Sequence, residues 1–291
     1  MKIFGRTKVC ALIGDPVEHS LSPIIQNAAF RSLDLDYVYV VFNVKSGDLR
    51  EAVYGVKALG ICGLNVTMPH KTAIIPYLDE LDETARKTGS VNTVLNNNGR
   101  LVGYTTDGVG ALNALKHAGV DPSDKRIVIL GAGGASRSIS FTLAEHASEL
   151  VILNRTFSKA KALKDAIRKA LGDRAKVRAL PLTDENLSVE LADADILINA
   201  TSVGMKPNEN ETPVKQIYLR GDLVVFDLIY EPLETRLLRE AKSIGAKVVD
   251  GLSMLVHQGA ASFEIWTGVK APVNVMMKAA LEVIQRREGG V

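Results

Sequence analysis

A glycine-rich segment follows an apolar run at residues 127–130, and its spacing suits the binding of a pyrophosphate. The loop is Gly131-Ala132-Gly133-Gly134-Ala135, with the small residue Ser136 at the last position of the pattern. Gly131 permits a tight turn, Gly133 lets the backbone approach an anion, and the helix that follows presents free N–H groups. The pattern favours a dinucleotide site, although a plain glycine turn would satisfy it as well.

The end of the next strand indicates which dinucleotide binds. An NAD site places Asp or Glu there to hold the ribose 2′-hydroxyl, but this chain has Asn154-Arg155-Thr156 with Lys159 one turn later. Arg155 offers a planar guanidinium to a 2′-phosphate, and Lys159 adds a second positive charge. The residues therefore predict NADP as the cofactor. The alternative is a strand end with solvated basic side chains.

Polar residues also cluster in four loops within residues 20–108. Hydroxyls, amides, one lysine and one carboxylate of these loops would suit a polyhydroxylated acid, and α/β sheets bind ligands beyond the carboxyl ends of their strands. Each residue has a structural alternative: Ser22 as a helix N-cap, Asn92 as a turn residue, Asp107 as a helix cap and Lys71 as a solvated lysine. The loops contain Ser20, Ser22, Thr67, Lys71, Asn92 and Asp107.

Short β-rich runs alternate with amphipathic helical stretches, which predicts an α/β fold of two domains. Residues 1–106 plus 252–291 are expected to form a discontinuous substrate domain with a mixed sheet. Residues 107–251 are expected to form a Rossmann-type, doubly wound parallel-sheet domain that binds NADP. Asn96-Asn97-Asn98-Gly99 indicates a hairpin, and the two helices predicted at 252–267 and 273–287 should pack on the first domain.

Composition excludes several classes of protein. The formal charge is +2, so no strong field indicates nucleic acid or membrane lipid as a partner. The apolar runs are of strand length, and Cys10 and Cys62 suit core positions in a reducing compartment, so a cytoplasmic protein is expected. The five histidines show no metal-ligand spacing, so no metal is expected. The oligomeric state stays open, with a homodimer as one option.

Together the motifs resemble the shikimate dehydrogenase family, from about residue 8 to residue 285. Gln26 stands where that family usually has His, and Thr105 where it usually has Asn. The motifs are Ser20-Leu21-Ser22-Pro23, Asn65-Val66-Thr67 with Pro69-His70-Lys71, Val91-Asn92-Thr93, Thr106-Asp107-Gly108, the glycine loop, Asn154-Arg155-Thr156, Asn199-Ala200-Thr201-Ser202, Asp227-Leu228-Ile229-Tyr230 and Gly251-Leu252-Ser253 followed by Gln258.

The resemblance implies reversible reduction of 3-dehydroshikimate to shikimate with NADPH, in aromatic amino-acid biosynthesis. It implies that Lys71 is the acid–base group and that Asp107 binds the same hydroxyl region. The remaining roles it implies are carboxylate binding by Ser20 and Ser22 with Tyr230, ring-hydroxyl binding by Thr67, Asn92 and Gln258, and backbone contacts of Leu228 and Gly251 to the nicotinamide, with Glu83 near it.

Gln258 is expected on the apolar face of its helix, where its amide could bind substrate or be a structural amide tied to backbone.

Two alternatives to the leading function remain. One is a quinate/shikimate dehydrogenase of relaxed specificity. Such relatives often take NAD, and Arg155 with no acidic residue at the strand end argues against NAD here. The other is a non-catalytic protein that senses shikimate-type ligands, which should lack the lysine–aspartate pair that this chain retains.

Overall fold

The computed structural model describes residues 3–288. The described chain forms two compact units. The first unit contains the residues up to Thr106 and those from Val256 onward, and the second unit is Asp107–Leu255. Each has its own six-stranded sheet.

The sheet of the first unit is mixed, with the strand order β2-β1-β3-β5-β6-β4. Parallel pairing joins β1 to β2 and to β3, while β5 is antiparallel to both β3 and β6. Five strands therefore end at the same edge, the carboxyl edge of the first sheet, where β5 begins. The strands are β1 (Lys8–Gly14), β2 (Tyr37–Asn43), β3 (Gly63–Val66), β4 (Glu80–Leu81), β5 (Thr93–Asn97) and β6 (Arg100–Tyr104).

The sheet of the second unit is entirely parallel, with the strand order β12-β11-β10-β7-β8-β9. Counted from β7 as the first strand, this is the 3-2-1-4-5-6 order of dinucleotide-binding domains. The strand order reverses between β7 and β10, because later strands are added on the opposite side of β7, so a ligand is expected at the carboxyl ends of these two strands. The strands are β7 (Arg126–Leu130), β8 (Glu149–Asn154), β9 (Val177–Pro181), β10 (Ile196–Asn199), β11 (Val224–Asp227) and β12 (Lys247–Val249).

Helices cover the sheets because the strands are apolar. In the second unit, alternate residues of β7 enter separate clusters on the two faces of the sheet, Ile127 and Ile129 in one and Val128 and Leu130 in the other. The helices are α1 (Ser22–Ser32), α2 (Leu49–Ala58), α3 (Glu83–Thr88), α4 (Asp107–His117), α5 (Gly134–Ala144), α6 (Phe157–Leu171), α7 (Asp184–Ala192), α8 (Arg236–Ser243), α9 (Gly251–Thr267) and α10 (Val273–Glu288).

The structure confirms the predicted fold class, with one mixed and one parallel sheet. Helix α10 packs against α1, and α9 belongs to the first unit from Val256 onward. The hairpin between β5 and β6 is tighter than expected: β5 continues through Asn97, and Asn98 and Gly99 form the turn with positive φ values of 51° and 89°. Among residues 3–288, no helix is long and apolar enough to cross a membrane.

One predicted structural role is wrong. Ser22 is the first residue of α1 and its side chain makes no capping bond. Instead, its backbone N–H donates to the hydroxyl of Ser20 at 3.2 Å. The error arose because Pro23 fits either of the first two helical positions, so it does not fix where the helix begins.

Candidate active site

The carboxyl edge of the first sheet gathers most of the polar residues singled out from the sequence. Thr67 follows the end of β3, Asn92 precedes β5, and Thr106 follows β6. The backbone N–H of Thr67 donates to Ile13 O at 3.0 Å, which ties the β3 loop to β1. Sheet pairing therefore brings together residues that are up to 40 positions apart in the sequence.

Asn92 is the centre of a buried hydrogen-bond network at this edge. Its Oδ1 accepts from the backbone N–H of Thr106 at 2.8 Å, and its Nδ2 donates to Thr106 Oγ1 at 2.9 Å and to Gln258 Oε1 at 3.3 Å. The side chain is 2% exposed. Asn92 is thus more than a turn residue, because it fixes the chain immediately before Asp107.

A second buried network lies directly beside the first. Asn65 Nδ2 donates to Ser262 Oγ at 2.9 Å and to Thr93 Oγ1 at 3.2 Å. Asn65 Oδ1 accepts from the phenol of Tyr39 at 2.8 Å. Full burial raises the pKa of that phenol well above its ordinary value, although a hydrogen bond with Ser22 acts in the opposite direction. Tyr39 therefore stays a neutral link between Ser22 and the Asn65 network.

Asn65, Thr93 and Ser262 were not predicted as site residues. Asn65 had a signal in the sequence, since asparagine is disfavoured inside strands and usually has a specific reason to be there. Ser262 follows Gln258 by one helical turn, and its hydroxyl donates to Gln258 O at 3.1 Å. No local pattern shows that α9 meets β3 and β5, so these contacts could not be inferred from spacing.

The helix face of Gln258 differs from the prediction. Leu255, Gln258 and Ile265 are only partly buried, whereas Val256 and Phe263 are fully buried. The periodicity was ambiguous because α9 is apolar on most of its surface. Gln258 consequently lies at the border of the apolar face, where its amide reaches Asn92.

Lys71 lies in the loop after β3, and neighbouring contacts fix its position. Its carbonyl accepts from Val91 N at 2.8 Å, and the side chain of the preceding residue, His70, is 1% exposed. His70 Nε2 contacts Val44 O at 2.6 Å. The imidazole thus supports the loop, as the sequence suggested, while the Lys71 side chain remains partly exposed.

The two carboxylates singled out from the sequence, Asp107 and Glu83, differ in how far they are exposed. Asp107 begins α4 in the second unit and is 4% exposed, while the next backbone N–H, of Gly108, donates to Ser138 Oγ at 3.0 Å. Glu83 begins α3 and is largely exposed. Its ion pair with Lys87, at 2.6 Å, lowers its pKa.

In the second unit, the glycine loop follows β7, at the point where the strand order of the sheet reverses. Gly131 has a φ of +106°, and a Cβ there would lie 2.8 Å from Ala200 O, so a side chain is excluded. A Cβ on Gly133 would meet nothing within 4 Å, which leaves this stretch of backbone open to a ligand. The loop runs directly into α5, whose first residue is Gly134, and Ser136 Oγ donates to Gly131 O at 2.6 Å.

The basic cluster after β8 is exposed. Asn154 ends the strand, and its Nδ2 donates to Thr156 O at 2.9 Å, which shapes the turn before α6. Arg155, Thr156 and Lys159 are exposed, so a phosphate could reach them. The loop holds no acidic residue that would repel a 2′-phosphate.

A buried polar network follows β10 and β11 in the second unit. Asp227 accepts from Asn199 Nδ2 at 3.0 Å, Thr235 Oγ1 at 2.7 Å and Ile229 N at 3.1 Å. Desolvation nevertheless raises its pKa from 3.8 to about 6. Asn199 Oδ1 in turn accepts from the backbone N–H of Thr201 at 3.0 Å. Asp227 and Asn199 thereby order the loops after β11 and β10, and β10 is the strand next to β7, which the glycine turn follows.

The network also positions Leu228, whose backbone N–H donates to Asn199 O at 3.0 Å, and Leu228 lies close to Gly251. A Cβ on Gly251 would lie 2.4 Å from Leu228 O. Only glycine fits this approach of α9 to the loop after β11. Tyr230 lies in the same loop and is partly buried.

The comparisons with known proteins agree with this arrangement. Family models match as the shikimate dehydrogenase substrate binding domain at residues 12–94, shikimate / quinate 5-dehydrogenase at 113–229 and the shikimate 5'-dehydrogenase C-terminal domain at 251–281. The shikimate dehydrogenase (NADP(+)) of Methanopyrus kandleri is 50% identical over 285 residues, 97% of this chain and 98% of that protein. The chain belongs to the shikimate dehydrogenase family.

Solved structures of the family share the whole fold. A shikimate dehydrogenase in complex with NADP+ has a TM-score of 0.91 at 49% identity, covering 97% of this chain and 98% of the other. The shikimate 5-dehydrogenase from Listeria monocytogenes, in complex with shikimate and NAD, has a TM-score of 0.90 at 41% identity, covering 96% and 98%. The predicted family and enzyme class are therefore confirmed.

Within residues 3–288, His, Cys, Asp and Glu form no group of three or more that could hold a metal ion. The polar side chains at the carboxyl edge of the first sheet are instead neutral amides and hydroxyls, and Lys71 adds one charged group to this set. This donor set is suited to a polyol.

Proposed function

We propose that this chain is an NADP-dependent shikimate dehydrogenase, which reversibly reduces 3-dehydroshikimate to shikimate in aromatic amino-acid biosynthesis. The observation that supports this most strongly is full-length similarity, at 50% identity, to a relative named shikimate dehydrogenase (NADP(+)). The polar carboxyl edge of the first sheet and the acid-free basic loop after β8 support the same function independently.

Lys71 is the proposed acid–base group. During reduction its ammonium gives a proton to the carbonyl oxygen of the substrate, and during oxidation its amine takes the proton from the hydroxyl. Asp107 hydrogen-bonds to the same hydroxyl region. Asn92 holds the backbone of Thr106, directly before Asp107, so that the carboxylate starts from a fixed position.

The other polar residues of the loops are proposed to bind the rest of the substrate. Ser20 and Ser22 bind the carboxylate, assisted by Tyr230. Thr67, Asn92 and Gln258 bind ring hydroxyls and keep the reacting carbon in register. The hydrogen bond between Asn92 and Gln258 supports this, because it orients both amides before a substrate arrives.

The second unit is proposed to be the NADP-binding domain, and the residues present fit this cofactor. When bound, NADPH supplies the hydride. The glycine loop, Gly131, Ala132, Gly133, Gly134 and Ala135, receives the pyrophosphate at the N-terminus of α5. Arg155 and Lys159 bind the 2′-phosphate together with Asn154 and Thr156, and the backbone of Leu228 and Gly251 lines the nicotinamide.

The first unit is correspondingly the proposed substrate domain. We further propose a cytoplasmic location and a homodimer. The location rests on the two cysteines, which form no disulfide in the structure.

A shikimate/quinate dehydrogenase of relaxed specificity is the second candidate, because one matching family model covers both substrates. A sensor without activity is disfavoured by the presence of both Lys71 and Asp107. The test is an absorbance assay of nicotinamide reduction with shikimate or quinate, each with NADP and with NAD. Turnover of shikimate with NADP should dominate. Comparable quinate turnover would replace the proposal by the second candidate, and no turnover of either acid would reject both.

A further inference from the structure

The amino edge of the first sheet, opposite the carboxyl edge, holds a cluster of titratable groups that the proposed reaction does not use. Cys10 lies in β1, and Cys62 immediately precedes β3. The thiol of Cys62 interacts with the thiol of Cys10, the phenol of Tyr37 and the charge of Lys8. Lys8 Nζ lies 3.3 Å from that phenol and 5.2 Å from the centre of its ring.

The two cysteines are aligned by the strand pairing itself. Cys10 is the register partner of Gly63, and Cys62 N donates to Val9 O at 2.8 Å. Neighbouring strands lie about 4.8 Å apart and rise about 3.3 Å per residue, so the Cα atoms of this diagonal pair should be about 6 Å apart. That separation falls inside the range of natural disulfides.

The two thiols differ in environment. Cys10 is fully buried, and its pKa is raised well above the ordinary value of 9.0 by desolvation. Cys62 is only partly buried, and the pKa of its thiol is lowered to about 7, chiefly by the hydrogen bond with Cys10 and assisted by the charge of Lys8. A large fraction of Cys62 is therefore thiolate, the nucleophilic form, at neutral pH.

We propose that Cys10 and Cys62 are a peroxide-sensitive thiol pair, in which accessible Cys62 reacts first and buried Cys10 resolves the product into an internal disulfide. The geometry that supports this is the contact of two thiols on paired strands beside Lys8 and Tyr37. The site is separate from the proposed catalytic residues, since Cys10 lies four residues, about 13 Å, before the carboxyl end of β1 at Gly14.

The chemistry takes two steps with a hydroperoxide as the oxidant. The Cys62 thiolate attacks one peroxide oxygen, so that an S–O bond forms, the O–O bond breaks, and the alcohol or water leaves after gaining a proton. The sulfur of Cys62 is oxidised to sulfenic acid and the peroxide is reduced. The sulfur of Cys10 then attacks that of Cys62, the S–S bond forms, the S–O bond breaks, and hydroxide leaves as water with the proton of Cys10.

The experiment treats the purified protein with hydrogen peroxide at pH 7 and follows free thiols and intact mass. The chain has only two cysteines, so the expected result is loss of both thiols, a mass lower by two hydrogens and full recovery with dithiothreitol. The Cys62→Ser variant should keep its remaining thiol. Persistence of both wild-type thiols, or a disulfide that joins two chains, would overturn the proposal.

Two further variants keep the test informative. Cys10→Ala removes the resolving thiol with little change in core polarity, so peroxide should now leave a sulfenic acid at Cys62, trapped as a dimedone adduct. Lys8→Met should slow thiol loss several-fold while circular dichroism stays unchanged. The adduct is sought at pH 9 as well, because Cys10→Ala also removes the hydrogen bond that lowers the pKa of Cys62 from its ordinary value of 9.0. If the folded Cys10→Ala protein forms no adduct at either pH, Cys62 is not the reacting thiol and the proposal is wrong.

Discussion

The two carboxyl edges of this molecule are built in different ways. At the carboxyl edge of the first sheet, the polar residues that we assign to substrate are held by buried amide and hydroxyl contacts centred on Asn92 and Asn65. In the second unit, the residues that we assign to the nucleotide phosphates are a bare glycine backbone and the exposed side chains of Arg155 and Lys159.

The difference indicates how each region achieves selectivity. A buried network fixes donors and acceptors before the ligand arrives, and losing one member leaves others without partners. An exposed basic pair contributes attraction that salt screens, so its loss should alter cofactor choice and leave folding intact. Substitutions in the two regions therefore test this contrast.

Lys71→Ala should produce the largest change, because it removes proton transfer. We expect kcat to fall by a factor of about 10²–10⁴ with little change in shikimate affinity. Steady-state kinetics measure the first quantity, and calorimetric titration with shikimate measures the second. The control is Lys45→Ala, an exposed lysine outside the proposed site. An unchanged kcat in the Lys71 variant would remove this lysine from the mechanism.

Asn92→Ala should affect both folding and activity, in contrast to substitutions in the exposed basic loop. It leaves the buried N–H of Thr106 without its acceptor, and Thr93 Oγ1 loses its 3.1 Å bond to Asn92 while it keeps its 2.7 Å contact with Ser262 Oγ. We expect the free energy of unfolding to fall by about 2–4 kcal/mol, along with kcat/KM. Denaturant unfolding provides the measurement, with exposed Asn208→Ala as the control. Unaltered stability would show that the network is not structural.

Asp227 tests whether the second unit also contains a buried polar network that matters for folding. Its pKa is about 6 in the folded chain and near 3.8 when unfolded. The folded protein therefore binds more protons between these values, so the free energy of unfolding should decrease as the pH rises from about 4 to about 6. The ceiling for this effect is about 3 kcal/mol, at about 1.4 kcal/mol for each unit of pKa.

The variant Asp227→Asn should lose this pH dependence, because an amide does not ionise in the window. The difference in stability between variant and wild type should then shift in favour of the variant as the pH rises from 4 to 6. Denaturant unfolding at both pH values would show it. Parallel curves for the two proteins would mean that Asp227 does not titrate in this window.

Arg155→Ala should have the smallest effect. We expect KM for NADPH to rise about tenfold, which corresponds to about 1.4 kcal/mol, while KM for NADH stays constant. The difference should shrink at high salt. Arg168→Ala, an exposed substitution near the other end of α6, is the matched control. Equal changes with both cofactors would show that Arg155 does not recognise the 2′-phosphate.

Much of the fold follows from local pattern. The strands Arg126–Leu130, Ile196–Asn199 and Val224–Asp227 can be located from the sequence alone, because each is largely an apolar run with a clear break after it. The two-residue strand Glu80–Leu81 was missed, since it has no periodicity and exists only through pairing with β6.

The site residues likewise divide into those with a local sequence signature and those without one. Gly131 was recognisable because a tight turn has a local signature, and its φ of +106° agrees with that reasoning. The contacts of Ser262 with Asn65 and Thr93 join residues that are 197 and 169 positions apart, respectively. Such contacts depend on how α9 packs against the sheet, which no short window of sequence specifies.

The most direct test of the assignment is a crystal structure of this protein with shikimate and NADP bound. We expect the shikimate carboxylate on Ser20 and Ser22, the reacting hydroxyl within hydrogen-bonding distance of Lys71 and Asp107, and the 2′-phosphate on Arg155. Shikimate bound with its reacting hydroxyl away from Lys71 and Asp107 would contradict it.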